Sequence, residues 1–124
     1  MVVLYADDDL DDRELFADAL EEVNPAVKLV LARDGNEVIE LLEDQNELPD
    51  FIFLDINMPL MSGKECLKRL KRVDRLKSVP VIMYTTTSNK EEFKNLVLLG
   101  AADCVVKGVS FQAIKESLRN ILSD

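Results

Sequence analysis

Hydrophobic residues in this chain fall into short runs separated by stretches with helical spacing. The runs are Val2–Ala6, Val27–Leu31, Phe51–Leu54, Val79–Tyr84 and Cys104–Val106. They are rich in Val, Ile and Phe and nearly continuous, the pattern of parallel strands buried on both faces. Between the runs, apolar residues recur every three or four positions. Phe16, Ala19, Leu20 and Val23 form one stripe, which Asn24-Pro25 ends. Val38, Leu41 and Leu42 mark a second helix, and Cys66, Leu67 and Leu70 a third. Phe93, Leu96 and Val97 mark a fourth, closed at Gly100 by a left-handed cap. Phe111, Ile114, Leu118 and Ile121 mark a fifth.

The residues before these stripes support the same division. Asp34…Glu37, Ser62…Glu65 and Ser88…Glu91 have the form of capping boxes. Ser110 is placed to cap the last helix and Asp9 the first, with Asp12 near the first helix's positive end. Strand-then-helix units in series predict an α/β domain with an open parallel sheet, helices on both faces and right-handed crossovers. No linker, repeat or low-complexity stretch interrupts residues 1–124, so the expectation is one domain with no output domain. In such sheets ligands sit at the carboxyl ends of the strands, where strand order reverses.

Composition narrows the chemistry. Of 124 residues, 48% are hydrophobic and 31% charged, as in an ordinary globular protein. Fifteen basic against 24 acidic residues leave a net charge of −9, which argues against a nucleic-acid partner. With no histidine, Ser-His-Asp and Cys-His catalysis, His-ligated metals and phosphohistidine carriage are excluded. Cys66 and Cys104 match no CxxC or zinc spacing and read as reduced, small apolar residues. No apolar run approaches the ~18 residues of a membrane span. Val2–Ala6 meets Asp7 too early for a signal peptide. The expectation is a cytoplasmic protein with no membrane partner.

The strand ends carry the candidate chemistry. Asp7, Asp8 and Asp9 follow the first run. Asp55 ends the third, before Ile56-Asn57-Met58-Pro59. Thr85, Thr86 and Thr87 end the fourth, and Lys107 the fifth. Taken singly each has a plain reading: a negatively charged helix start, a turn carboxylate, β-branched residues at a strand end, a surface lysine. If the first and third strands are neighbours, Asp7, Asp8 and Asp55 share one pocket. Close carboxylates either raise a pKa or recruit a cation, and all-oxygen ligation suits Mg²⁺. A hydroxyl and an ammonium at the rim suit phosphoryl oxygens. One carboxylate could then attack a phosphoryl donor, forming an acyl phosphate.

These elements, Leu4-Tyr5-Ala6-Asp7-Asp8-Asp9, Leu54-Asp55-Ile56-Asn57-Met58-Pro59 with Ser62-Gly63, Pro80–Thr85, and Gly100-Ala101 leading to Val105-Val106-Lys107, resemble the receiver domain of two-component response regulators across the whole chain. The resemblance implies a flavodoxin-like (βα)5 fold with a five-stranded parallel sheet in the order 2-1-3-4-5. It implies that Asp55 is the phosphoacceptor, Asp8 a direct Mg²⁺ ligand, and Asp7 a ligand mostly through water. The Asn57 backbone carbonyl would complete the protein's share of metal ligands, Thr85 would be the switch hydroxyl, and Lys107 would bind the phosphoryl group. Implied partners are a histidine kinase or phosphotransfer protein, and a downstream target or second copy met through helix four, strand five and helix five. Lys94, Asp103, Gln112 and Lys115 are the expected exposed members of that surface.

The family pattern is broken in three places. Lys107-Gly108 replaces Lys-Pro, Val109 stands where an aromatic is common, and Cys104 stands where a Tyr or Phe usually switches. A non-proline cis bond costs about 2.5–4 kcal/mol, so the expectation at Lys107-Gly108 is a trans bond or a strained one. These breaks motivate an alternative, a pseudo-receiver acting as a constitutive protein-interaction module. A metabolic enzyme on the same topology fits less well. Three aspartates after the first strand would repel a flavin phosphate, no P-loop motif occurs, and a DxD phosphatase would need Asp at Asn57. Lys64, Lys68, Arg69, Lys71, Arg72, Arg75 and Lys77 form a basic segment, read as the solvated face and exit of helix three.

Overall fold

A computed structural model describes residues 1–44, 47–86, 88–107 and 110–123. Its elements run β1 (Val2–Ala6), α1 (Leu10–Val23), β2 (Lys28–Ala32), α2 (Gly35–Asp44), β3 (Phe51–Asp55), α3 (Gly63–Arg72), β4 (Val81–Thr85), α4 (Lys90–Leu98), β5 (Asp103–Val106) and α5 (Phe111–Leu122). The five strands form one parallel sheet in the order β2-β1-β3-β4-β5, the flavodoxin-like arrangement. The order reverses between β1 and β3, so the crevice beyond their carboxyl ends is the place where a ligand fits.

The runs Val2–Ala6, Phe51–Leu54 and Val79–Tyr84 supply the central strands β1, β3 and β4. Every residue of β1 and β4 is buried, and all but the first of β3. The expectation of burial on both faces fails at the edges: β2 and β5 each keep exposed residues, because each has a neighbour on one side only. Two cores flank the sheet. Val3, Tyr5, Phe53, Ile82 and Tyr84 meet Phe16, Ala19 and Leu20 of α1 and Ile114 and Leu118 of α5. Leu4, Ala6, Ile52, Leu54, Val81 and Met83 meet α2, α3 and α4 on the other face. Strand alternation sends successive side chains to opposite cores.

Helix ends follow local chemistry. Asp9 Oδ1 accepts from the Asp12 N–H, Asp34 Oδ1 from Glu37, Ser62 Oγ from Glu65 and Ser110 Oγ from Ala113, at 2.9–3.2 Å. One cap is displaced: Asn89, not Ser88, caps α4, its Oδ1 accepting from the Glu92 N–H at 3.1 Å. Gly100 (φ 115°) closes α4 by a Schellman motif, with Ala101 N–H on the Leu96 carbonyl and Gly100 N–H on that of Val97. The α4 stripe is narrower than its spacing predicts. Leu96 is buried, Phe93 is half-buried, and Val97 is 52% exposed. Gly108 and Val109 lie outside the described residues, and with them the Lys107-Gly108 peptide. Among the described residues no helix is long and apolar enough to cross a membrane.

Candidate functional site

Asp7 follows β1 directly and is fully buried. Its backbone N–H continues the sheet onto the Ala32 carbonyl at 3.1 Å. Both carboxylate oxygens are held. Oδ1 accepts from the Asp9 N–H at 3.0 Å, and Oδ2 accepts from the Tyr5 hydroxyl and, at 2.7 Å, from Lys107 Nζ. Arg13 Nη1 donates to the Asp7 carbonyl at 2.7 Å. Tyr5 reaches Asp7 because residues two apart on a strand share a face. The Tyr5 ring is itself fixed, stacked on Phe16 at 4.0 Å and edge-on to Tyr84 at 5.7 Å. Burial, and then the Asp7 carboxylate, push the Tyr5 phenol well above its ordinary value, so it remains a donor.

Asp55 ends β3 and is 6% exposed. Gly63, the first residue of α3, lies so close behind it that an added Cβ would stand 2.1 Å from the Asp55 carbonyl oxygen. The Gly63 N–H donates to the Ile56 carbonyl at 2.9 Å, which pins the loop carrying Asn57. Asp8 is exposed at the mouth. One carboxylate oxygen from each of Asp7, Asp8 and Asp55 lies within 4.8 Å of the others. Three hard oxygen donors at that separation fit a divalent cation such as Mg²⁺ or Mn²⁺. Burial first, and then the neighbouring charge of Asp7, push the Asp55 carboxyl up to about 6 against the opposing pull of Lys107.

Lys107 follows β5, and its N–H donates to the Thr85 carbonyl at 2.6 Å. Its ammonium lies 2.7 Å from Asp7 Oδ2, 2.8 Å from Asp12 Oδ2 and 3.5 Å from Asp55 Oδ1. Burial alone would lower its pKa; the hydrogen bonds to Asp12 and Asp7 outweigh that and raise it. The ammonium thus stays charged, 5.8 Å from the centre of the Tyr84 ring.

The structure gathers Asp7, Asp8, Asp55 and Lys107 into one cluster. Thr85 is buried at the end of β4, one residue beyond the Asp55–Tyr84 pair of the sheet. Asn57 is exposed on the loop leaving β3. Two further members of the cluster, Tyr5 and Asp12, lie outside the set of residues that the strand ends point to. Tyr5 could have been found from its place two residues before Asp7 in a buried strand. Asp12 shows in the sequence only as a charge in the first turn of α1, with nothing to link it to Lys107.

Other expectations resolve locally. Cys66 is fully buried, and burial pushes its thiol up to about 12. Cys104 is half-buried, its Sγ 4.0 Å from the Phe93 carbonyl. Part of the basic segment is structural. Lys71 Nζ donates to the Lys77 and Val79 carbonyls at 3.0 Å, and Arg75 to that of Leu42 at 2.9 Å. Lys115 is not the exposed residue its position suggests. Its ammonium sits over the Phe111 ring at 5.0 Å and reaches Glu22 of α1 at 3.5 Å.

Known proteins share this fold. The chain is 29% identical over 121 residues to the chemotaxis protein CheY of Pseudomonas aeruginosa, spanning 98% of this chain and 95% of that one. Other curated relatives are longer, and the chain spans 33% of one and 26% of another. The Mn²⁺-bound form of response regulator Rcp1 superposes with a TM-score of 0.87 at 25% identity, covering 98% of this chain and 94% of that one. The phosphorylated cyanobacterial phytochrome response regulator RcpA superposes with a TM-score of 0.88 at 27% identity, with the same coverage. The model of the response regulator receiver domain matches residues 3–119, and with a carboxylate cluster and a lysine at the ends of β1, β3 and β5 the chain belongs to that family.

Proposed function

We propose that this chain is a phosphoacceptor in a two-component phosphorelay, with Asp55 receiving a phosphoryl group from a histidine kinase, a phosphotransfer protein or a small donor such as acetyl phosphate. The observation that carries this reading is the gathering of the Asp55 carboxylate with those of Asp7 and Asp8, within 4.8 Å of one another, and with the Lys107 ammonium 3.5 Å from Asp55. The Asp7, Asp8 and Asp55 carboxylates, with the Asn57 backbone carbonyl, would hold Mg²⁺. When bound, that ion would supply positive charge to offset the negative charge of the carboxylates and the phosphoryl group.

In the transfer, an Asp55 oxygen attacks phosphorus. A new P–O bond forms as the donor's P–N bond (phosphohistidine) or P–O bond (acetyl phosphate) breaks, and the leaving group departs with the bonding pair. Lys107 binds a phosphoryl oxygen and Thr85 contributes its hydroxyl, so the residues act chiefly by position and charge. Water later attacks phosphorus, releasing inorganic phosphate and restoring the Asp55 carboxylate. Turnover is confined to the protein's own side chain, which makes it a timed signal rather than an enzyme with an outside substrate.

Output follows from altered contacts of the α4–β5–α5 surface with a downstream protein or a second copy, in a cytoplasmic setting. Lys94, Asp103 and Gln112 are exposed there. Cys104 cannot swing as a ring would, so Thr85 and Lys107 transmit the change. Intact-mass spectrometry after incubation with acetyl phosphate and Mg²⁺ tests the proposal. One added phosphoryl group is expected on the wild type, and none on Asp55→Asn or with chelator. No gain on folded wild type would instead favour a constitutive binding module.

A further inference from the structure

We propose that Asp12 is a positioning residue acting through Lys107: it holds the ammonium in the resting protein and gives it up when Asp55 carries a phosphoryl group. This rests on Asp55 being the phosphoacceptor.

In the resting structure Lys107 Nζ is closer to Asp12 (2.8 Å) and Asp7 (2.7 Å) than to Asp55 (3.5 Å). An ammonium has three N–H donors; hydrogen bonds to Asp7 and Asp12 use two of them, and Asp55 stands at ion-pair distance. A phosphoryl group on Asp55 brings further anionic oxygens to the same ammonium. Drawing the ammonium from 3.5 Å into hydrogen-bond distance of those oxygens weakens one of its two short bonds. Asp7 is poorly placed to yield. Its side chain is 1% exposed and fixed by Tyr5 and the Asp9 N–H, and an unpaired buried carboxylate is costly. Asp12 is well placed. Its side chain is 35% exposed on the first turn of α1, where water and the helix's positive end satisfy a carboxylate. The Lys107–Asp12 contact thus belongs to the unphosphorylated state. Removing it favours the phosphorylated state by whatever that contact contributes.

A general effect of negative charge near the site is separable from this one. Asp11 lies in the same turn and is exposed, and among the described contacts it makes no ion pair with Lys107. Beryllofluoride with Mg²⁺ serves as a stable phosphoryl mimic, its binding followed by amide NMR on the full chain. Asp12→Asn should lower the half-saturating concentration roughly threefold to fivefold, the upper size of a partly exposed charge contact. Asp12→Glu should restore the wild-type value, and Asp11→Asn should change it by less than about twofold. In a Lys107→Ala background Asp12→Asn should have no effect. The proposal is overturned if Asp12→Asn matches wild type, if Asp11→Asn matches Asp12→Asn, or if the gain survives without Lys107. Wild type that neither binds beryllofluoride nor takes phosphate from acetyl phosphate would instead overturn the phosphoacceptor reading, and this proposal with it.

Discussion

The two halves of the sheet's carboxyl edge are built differently. At β1 and β3, Asp7 and Asp55 are buried, held by Tyr5, Lys107 and a glycine pressed against the Asp55 backbone. At β4 and β5 the sheet ends in an edge strand with Val106 exposed, covered by a helix that buries only Leu96 and leaves Leu98 84% exposed. A phosphoacceptor needs its carboxylates held in place, since misplacement by about 1 Å is costly in rate. A readout surface needs the opposite, an element whose marginal packing lets a small change in charge shift its population. Lys107 joins the two halves, its N–H on the Thr85 carbonyl and its ammonium among the carboxylates.

Paired glycine substitutions break this comparison most forcibly. Gly63→Ala would put a Cβ 2.1 Å from the rigid Asp55 carbonyl oxygen. It should cost about 3 kcal/mol or more in urea denaturation, at the upper end of overpacking, and should displace the Asp55 carboxylate as well. Gly100→Ala, in the open half, meets side-chain carbons of Lys71, the nearest at 2.9 Å, rather than backbone, but forces an L residue to φ 115°. About 1–2 kcal/mol is expected, with phosphorylation retained. Equal losses from the two would refute the contrast.

Acid titration tests the closed half by charge rather than volume. In the metal-free protein the Asp55 carboxyl is pushed up to about 6 by burial and then by Asp7. Between about pH 4 and pH 6 the native state therefore holds a proton that the unfolded chain has released. This contribution favours the native state at low pH, declines as pH rises through that window, and is level above it. Asp55→Asn lacks the titration. Its stability relative to wild type should rise by on the order of 2 kcal/mol from pH 4 to pH 7, measured by denaturation in chelator. Adding Mg²⁺ at pH 7 should narrow the gap by stabilising the wild type. A constant gap would mean that Asp55 is not charged against its surroundings.

The strand ends show what the chain makes legible and what it does not. Asp7, Asp8, Asp55 and Lys107 each follow an apolar run, and a parallel sheet brings the ends of its strands to one edge. Knowing the runs therefore nearly suffices to assemble the cluster, and the resemblance supplies the neighbour order. Asp12 was legible only as a helix-start charge, because its bond to Lys107 spans 95 residues and depends on where β5 lies. Val97 fits the apolar spacing of α4, yet it faces outward. A nine-residue helix over a sheet edge has less core to cover than its sequence offers. The edge strands misled for the same reason, since a run of apolar residues does not show whether it has one neighbour or two.

The start of α4 shows how close two local solutions can be, and it carries the smallest predicted effect. In Ser88-Asn89-Lys90-Glu91-Glu92 both Ser88…Glu91 and Asn89…Glu92 place a polar cap three residues before a glutamate. Spacing alone cannot choose between them, since Ser and Asn cap about equally well. In the fold, Asn89 Oδ1 accepts from the Glu92 N–H, and the helix begins at Lys90. Asn89→Ala should therefore cost about 1 kcal/mol and Ser88→Ala only a few tenths, read as thermal midpoints. Because α4 buries a single residue, the lost cap should appear first as faster amide exchange in α4, with β1 and β3 unchanged. Exchange that accelerates equally in both halves would mean that the open half is not a separate cooperative unit, and that the α4 surface moves only with the whole sheet.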